Sequence, residues 1–136
     1  MLEYLKARRI DCYMDIHSHS SPPWLGICPK EHTRGDHAQL VRLQNLTRAK
    51  TRAAGGPDLV LAVQGAKAWY NSHFFPAQTG IYAFTYEEKA GFRGNFPTGT
   101  PREEIWQANT DNGMYTILGL AQALLTVPPA WAAGRR

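Results

Sequence analysis

An extended segment near the start of the chain sets the strongest limit on how the chain can fold. Residues 10–17 alternate in polarity, with Ile10, Cys12, Met14 and Ile16 on one side and Asp11, Tyr13, Asp15 and His17 on the other. A repeat of two residues indicates a β-strand. Ser20-Ser21-Pro22-Pro23 follows, and proline cannot continue a central strand. His17-Ser18-His19 therefore lies at the carboxyl end of the predicted strand, where open α/β sheets place their ligands.

A helix is predicted after a loop over residues 20–36. Asp36 is suited to cap its amino end, and Gly55-Gly56-Pro57 is a typical helix end. Between them, apolar residues recur at helical spacing and predict a helix over residues 37–54. The predicted buried stripe consists of Leu40, Leu43, Leu46, Ala49 and Ala53.

The second half of the chain repeats this alternation of elements. Residues 59–63 form an apolar run that predicts a buried strand, and residues 66–75 are predicted to be helical. After Gly80, the alternation of residues 81–87 predicts another strand. A final helix is predicted to begin at Thr110 or Asp111 and to end before Pro128-Pro129. Its predicted inward residues are Met114, Leu118, Ala121 and Leu125.

Strands that alternate with helices predict an α/β fold, here a three-layer sandwich around a mixed sheet. A length of 136 residues predicts a single domain over residues 1–136. Only about three strands are predicted, and the end of a helix at residues 2–9 leads directly into the first. The sequence is therefore interpreted as a partial domain, typical of the second half of a larger one.

Composition narrows the range of partners and locations. The chain contains no apolar run long enough to span a membrane and no pattern typical of a signal peptide near its first residue, so a cytoplasmic location is the default expectation. The net charge is +4, and the basic residues concentrate in residues 34–52 without interleaved aromatic side chains. This pattern favours a solvated helix face. Neither a membrane nor a nucleic acid is therefore expected as a partner.

Several short motifs occur in an order that is similar to a known family. They are His17-Ser18-His19, then Ala62-Val63-Gln64-Gly65 before Trp69, then Tyr82-Ala83-Phe84-Thr85-Tyr86-Glu87, the Gly91–Pro101 loop and the last helix. This ordered set resembles the C-terminal half of the zinc carboxypeptidase family, of the carboxypeptidase A type. In that family the spacing between the motif histidine and the motif glutamate is close to the 70 residues that separate His17 from Glu87.

The resemblance implies a role for each matching residue. His17 corresponds to a zinc ligand and Glu87 to the general base, while Ser18 and His19 would line the substrate pocket. Asp15 shares a strand face with His17 and is a candidate to orient its ring. The implied cofactor is Zn²⁺, and the implied activity is hydrolysis of a peptide or of an amide-linked amino acid.

The sequence also departs from the family pattern. The family takes two more zinc ligands from an upstream His-x-x-Glu, and no histidine here is followed three residues later by glutamate. The family's substrate-binding arginine also lies upstream of the matching region, and Val60 stands where many members have a tyrosine. Because catalytic zinc takes about three protein ligands, the remaining ligands would have to come from a missing N-terminal segment or a partner chain. We therefore expect the isolated chain to be incomplete or inactive.

Three alternatives remain open at this point. Asp15-x-His17-x-His19 resembles a strand signature of metal-dependent amidohydrolases, which are barrels of roughly 250 residues. A structural zinc site could use Cys12, Cys28, His32 and His37, although no close cysteine pair is present. The chain could also be a non-catalytic relic or an interaction module of the same fold.

Overall fold

The computed structural model describes residues 12–20, 22–34, 36–65, 77–89 and 96–127, together with Tyr4, Ala7, Arg8, Ile10 and Phe75. For residues 18–20 and 89 the description covers the backbone. The elements are β1 (Cys12–Ser20), β2 (Trp24–Ile27), a 3₁₀ turn (Lys30–His32), α1 (His37–Ala53), β3 (Val60–Val63), β4 (Tyr82–Lys89) and α2 (Arg102–Leu124).

The described strands form one mixed sheet in the order β1-β4-β2-β3. Strand β4 runs parallel to β1 and antiparallel to β2, and β3 runs parallel to β2. The predicted α/β class with a mixed sheet is therefore confirmed. Neither α1 nor α2 combines the length and the apolar character that crossing a bilayer requires, and the other described segments contain no such helix.

The main core lies between the sheet and the two helices. Alternate residues of β4 point into it, together with residues of β2, α1 and α2; its fully buried members include Tyr86, Phe84, Leu25, Ile27, Leu40 and Leu43. The intervening residues of β4 point to the opposite face, where Ile81 packs with Phe75, Ile10 and Tyr13. We call these the helix face and the open face of the sheet.

Helix α1 begins and ends where the sequence predicts. The Asp36 side chain accepts hydrogen bonds from the amides of Ala38 and Gln39, and Gly55 follows the helix with φ 90°, a conformation that favours glycine. The predicted stripe, however, is partly wrong. Ala49 and Ala53 are exposed, and the buried residues are Leu40, Leu43, Gln44, Thr47 and Thr51.

Hydrogen bonding explains why polar residues replace alanines on the buried side of α1. The Gln44 amide donates to the carbonyl oxygens of Leu25, at 2.7 Å, and Ala62, at 2.9 Å. The Thr47 hydroxyl donates to the carbonyl of Leu43 at 2.8 Å. A buried polar group that keeps its hydrogen bonds avoids most of the cost of leaving water. An apolar pattern alone therefore does not identify the face that packs.

The predicted start and inward face of α2 are both wrong. The helix begins at Arg102, directly after Pro101, about two turns before the predicted start. Its predicted inward residues Met114, Leu118 and Leu125 are exposed. The buried residues are instead mostly small: Gly113, Thr116, Gly119, Leu120 and Ala123.

Close packing of α2 against α1 accounts for the glycine at position 119. A Cβ atom on Gly119 would overlap the Thr51 hydroxyl and lie 2.8 Å from the Thr51 nitrogen and 3.0 Å from the Thr47 carbonyl oxygen. The two helices therefore approach too closely for large side chains, and the long apolar residues of α2 are displaced to its outer side.

The strands differ from the prediction in three places. Strand β2 lies inside the segment predicted to be a loop, and β1 continues to Ser20. Strand β3 lies at one end of the sheet order. The predicted burial holds for Leu59 but is wrong for Val60 and Val63, which are exposed. Residues 66–74, most of residues 2–9, and Pro128-Pro129 lie outside the described part of the chain.

Candidate functional site

One row of paired residues crosses all four strands. His17 of β1 pairs with Glu87 of β4, Glu87 pairs with Trp24 of β2, and Trp24 pairs with Val60 of β3. Residues directly opposite each other on neighbouring strands project from the same face of a sheet. The imidazole of His17 and the carboxylate of Glu87 therefore project side by side from the open face. We call this set of four residues the His17 row.

Asp15 lies beside His17 on the same face of β1. Its Oδ2 atom is 3.3 Å from Nε2 of His17, and the two side chains are 27% and 49% exposed. A carboxylate at this distance favours a proton on Nε2, which leaves Nδ1 as the ring nitrogen with an available lone pair. His17 therefore has the accessibility and the orienting neighbour that a ligating imidazole requires.

The Glu87 side chain differs from a solvated surface carboxylate in being buried. It is only 5% exposed, and its paired residue on β2 is the half-buried Trp24. Glutamate is rarely buried to this extent without compensating polar contacts. Burial thus separates Glu87 from an ordinary charged residue at the end of a strand.

Glu88 projects from the other face of the sheet. A Cβ atom on Gly113 of α2 would lie 2.5 Å from Oε1 of Glu88, which places this carboxylate against the helix. Burial raises the pKa of Glu88 above its ordinary value. Adjacent residues of a strand alternate in direction, and Glu87, not Glu88, accordingly shares a face with His17.

A second row lies one step along the strands and supports the first. A Cβ atom on Gly26 would overlap the ring of Trp24 and lie 3.0 Å from Cγ of Gln64. The Thr85 hydroxyl, on the same face, contacts Oε1 of Gln64 at 3.1 Å and can donate to it. Glycine at position 26 therefore lets an aromatic ring and an amide pack across β2 next to Glu87.

The sequence interpretation missed Trp24 as part of this site. Strand β2 has four residues between Pro23 and Pro29, too few to show a periodic pattern. The available signal was composition, since Trp24 and Ile27 favour strands. Val60, which the resemblance places at a tyrosine position, belongs to the same row but lies two strands away from Glu87.

Several predicted site features lie outside what the structure describes. Ser18 and His19 lie on β1, but their side chains are outside the described atoms, and Trp69 is outside the described residues. Of the Gly91–Pro101 loop, residues 96–101 are described. The pocket-lining roles of Ser18 and His19 therefore stay predictions.

The described side chains do not by themselves complete a catalytic metal site. They contain no group of three or more histidine, cysteine, aspartate or glutamate residues able to hold a metal ion. Catalytic zinc takes about three protein ligands and a water. His17, oriented by Asp15, fits one ligand position of such a site.

The structure contradicts the cysteine–histidine alternative. Cys12 and Cys28 form no disulfide, and no metal-binding group forms among the four proposed ligands, all of which are described. Sγ of Cys28 lies 3.1 Å from the Thr33 hydroxyl, and burial raises the pKa of this thiol. A buried, protonated thiol is a poor zinc ligand because the thiolate is the binding form.

The amidohydrolase alternative also disagrees with the observed architecture. Its strand signature belongs to a barrel of parallel strands. The described strands instead form a mixed sheet with β1 at one end of the strand order. The chain therefore has the residue spacing of that signature at Asp15, His17 and His19, but it does not have the barrel fold.

Comparison with known proteins relates the fold to one class of enzyme. The sequence matches no known protein family and no curated protein. Among solved structures, a metallo-carboxypeptidase from Burkholderia cenocepacia is similar, with a TM-score of 0.62 and 18% sequence identity. The similarity covers 91% of this chain and 33% of that chain. The chain thus has the fold of part of a metallo-carboxypeptidase and spans about a third of that protein's length.

Proposed function

We propose that this chain forms the His17–Glu87 portion of a zinc-dependent, carboxypeptidase-like hydrolase of peptide or amide bonds. The observation that carries the proposal is the direct pairing of His17 with Glu87 on neighbouring parallel strands. That pairing places an accessible imidazole and a buried carboxylate on one face. The fold similarity to a metallo-carboxypeptidase supports the same assignment.

The proposed roles follow from the chemistry of each side chain. His17 would supply one zinc ligand through Nδ1, with Nε2 held toward Asp15. Zinc, when bound, would act as a Lewis acid. Glu87 would act as the general base, because a carboxylate close to a metal ligand is suited to accept a proton. Ser18 and His19 would contact the substrate.

The proposal requires ligands from outside the described residues, since His17 provides only one. A missing N-terminal segment or a partner chain would supply them, together with the group that binds the substrate carboxylate. A second candidate is that the fold is retained without catalysis, as a relic or an interaction module. Metal binding distinguishes the two.

A zinc titration followed by NMR of the histidine rings tests the assignment of His17. We expect zinc to shift the ring nitrogen signals of His17, with Nδ1 as the coordinated atom. His17→Ala should abolish this binding, whereas the control His32→Ala should retain it. Asp15→Asn should weaken it by about tenfold or more, because outer partners orient metal ligands.

Two results would count against this function. Zinc binding that survives His17→Ala unchanged would remove His17 as the ligand. Any hydrolysis of a peptide from its C-terminus should disappear in Glu87→Gln, which keeps the shape of the side chain. Hydrolysis that persists in Glu87→Gln would remove Glu87 as the base.

A further inference from the structure

A polar seam lies between β4 and α2 on the helix face of the sheet. We call it the Glu88 seam; it consists of Tyr86 and Glu88 on β4 and of Asn109, Gly113 and Thr116 on α2. The three α2 residues are four and three positions apart, so they share one side of the helix. A Cβ atom on Gly113 would lie 2.5 Å from Oε1 and 3.7 Å from Cδ of Glu88. The glycine therefore leaves the space that the Glu88 carboxyl occupies.

The polar atoms of the Glu88 seam are buried and incompletely hydrogen-bonded. Tyr86 is fully buried, and its Oη has no partner at hydrogen-bond geometry among the described residues. Oδ1 of Asn109 is also buried without one. The buried Thr116 hydroxyl donates its proton to the carbonyl oxygen of Asn112 at 2.8 Å. Because proteins rarely leave buried polar atoms unpaired, this seam contains acceptors that need a donor.

Burial favours the neutral form of both ionisable groups in the Glu88 seam. It raises the pKa of Tyr86 to about 12, with Thr116 acting in the opposite direction and Glu88 adding to the rise. The Tyr86 hydroxyl therefore keeps its proton. Burial also raises the pKa of Glu88, and it is the sole cause of that rise. Among the described residues, neither a cation nor a hydrogen-bond donor thus stabilises the charged form of this carboxyl.

The helices and strands packed around Glu88 bring uncharged described residues to this side of the sheet. His17 and Glu87 project from the open face instead. On α2 the carboxylate closest in sequence is that of Asp111, which is exposed and accepts a hydrogen bond from the Gln107 amide at 2.8 Å. Residues 112–127 carry no charge. The residues on this side are Tyr86 of β4, Ile16 of β1, Leu25 of β2, Gly113 and Thr116 of α2, and Thr47 and Thr51 of α1.

A protonated Glu88 carboxyl supplies the donor that the seam needs. Its O–H can donate to Oη of Tyr86, and the Tyr86 hydroxyl can donate to Oγ1 of Thr116. The Thr116 hydroxyl already donates to the carbonyl oxygen of Asn112. Each hydroxyl then accepts one hydrogen bond and donates one. An ionised Glu88 has no proton to donate, and it places a charge without a cation in a partly buried position, which is unfavourable.

We propose that Glu88 is a pH-dependent latch between β4 and α2. Its protonated carboxyl holds the middle of α2 against the sheet through Tyr86 and Thr116, and its ionisation loosens this contact. The later part of α2 keeps its separate contact with α1 at Gly119. The latch lies on the helix face and needs neither zinc nor catalysis, so its test is independent of the proposed hydrolase function.

Amide hydrogen exchange at a series of pH values tests the latch. Protection factors, corrected for the intrinsic exchange rate at each pH, report the opening of each part of the helix. The closed helix holds the Glu88 proton more tightly than the opened one, so protection of residues 113–117 should fall as the pH rises above 4.5. The fall should reach at most about tenfold per pH unit, the limit for release of one proton. Residues 120–124, which follow the contact with α1, should lose less protection.

Three variants identify the group responsible. Glu88→Gln can donate to Tyr86 at every pH, so protection of residues 113–117 should stay constant within about twofold. The matched control Asp111→Asn removes an exposed carboxylate of the same helix and should keep the original pH dependence. Tyr86→Phe removes the acceptor and should lower protection at pH 4.5 by about threefold or more. Circular dichroism confirms folding, and Thr116→Val, which breaks the next hydrogen bond, replaces Tyr86→Phe if that variant is unfolded.

Three results would overturn the latch. They are protection of residues 113–117 that is independent of pH in the unmodified chain, an unchanged pH dependence in Glu88→Gln, and an equal fall in residues 120–124. The last result would show that the whole helix loosens, not the part that contacts Glu88. Zinc binding through His17 together with any of these results would preserve the proposed function while removing the latch.

Discussion

The helix face and the open face of the same sheet differ in what they bury. On the helix face, Phe84 and Tyr86 are fully enclosed by apolar side chains of β2, α1 and α2. On the open face, the alternate residues Thr85 and Glu87 are buried beside Trp24 and Gln64. One strand thus supplies both apolar packing and a polar row. The comparison indicates that stability comes mainly from the helix face, whereas the residues of the proposed site, His17 and Glu87, lie on the open face.

The largest expected effect is on the helix face. Phe84→Ala removes a fully buried ring and should lower the free energy of unfolding by about 3–5 kcal/mol, measured by urea denaturation. The control Val63→Ala, at an exposed position, should change it by less than about 0.5 kcal/mol. A small loss for Phe84→Ala would contradict the assignment of stability to this face.

The close contact between α1 and α2 should give the next largest effect. Gly119→Val would force a side chain against Thr51 and the Thr47 carbonyl and should cost about 1–3 kcal/mol. Gly65→Val is the matched control, because a Cβ atom there meets nothing within 4 Å. Equal melting temperatures for the two variants would show that the helices separate without cost.

A smaller effect is expected one residue along β4 from Phe84. Thr85→Val keeps the side-chain volume but removes the hydroxyl that contacts Gln64, and should cost roughly 0.5–1.5 kcal/mol. Urea denaturation against Phe84→Ala makes the comparison direct. If Thr85→Val costs as much as Phe84→Ala, the two faces contribute equally and the contrast between them fails.

The smallest effect concerns the dependence of stability on pH. Burial raises the pKa of Glu88, so the folded state holds this proton more tightly than the unfolded state. The stabilisation is complete below the ordinary glutamate pKa of 4.5 and is lost as pH rises through the higher folded value. The urea midpoint of the unmodified chain should therefore fall relative to that of Glu88→Gln as the pH rises above 4.5. A constant difference would show that Glu88 is not held against α2.

Local sequence signals were sufficient to predict several of the helices and strands. The alternation at residues 10–17 and 81–87 identified β1 and β4, and Asp36 and Gly55 identified both ends of α1. The choice of Glu87 over Glu88 agrees with the observed faces for the same reason, because direction along a strand depends only on the parity of the residue number. The proposed catalytic roles of these residues stay predictions.

Packing between helices and strands decided which of their residues are buried. The sequence pattern predicts that Met114 and Leu118 are core residues, but the close approach of α1 admits only a small residue at position 119 and both of those side chains are exposed. The pattern also predicts that residues 59–63 form a buried strand. Strand β3 lies at one end of the sheet order, however, and Val63 is exposed. Strand β2, and with it Trp24, was too short to produce a periodic signal.

The amino-acid sequence alone determined the spacing of apolar residues in each long segment, the caps of α1 and the order of motifs that resembles zinc carboxypeptidases. These are local properties, since backbone geometry and neighbouring side chains set them. Only the tertiary structure decided that His17, Glu87, Trp24 and Val60 form one row. Strand order and register depend on contacts between residues far apart in sequence, and those contacts arise when the sheet and its helices pack together.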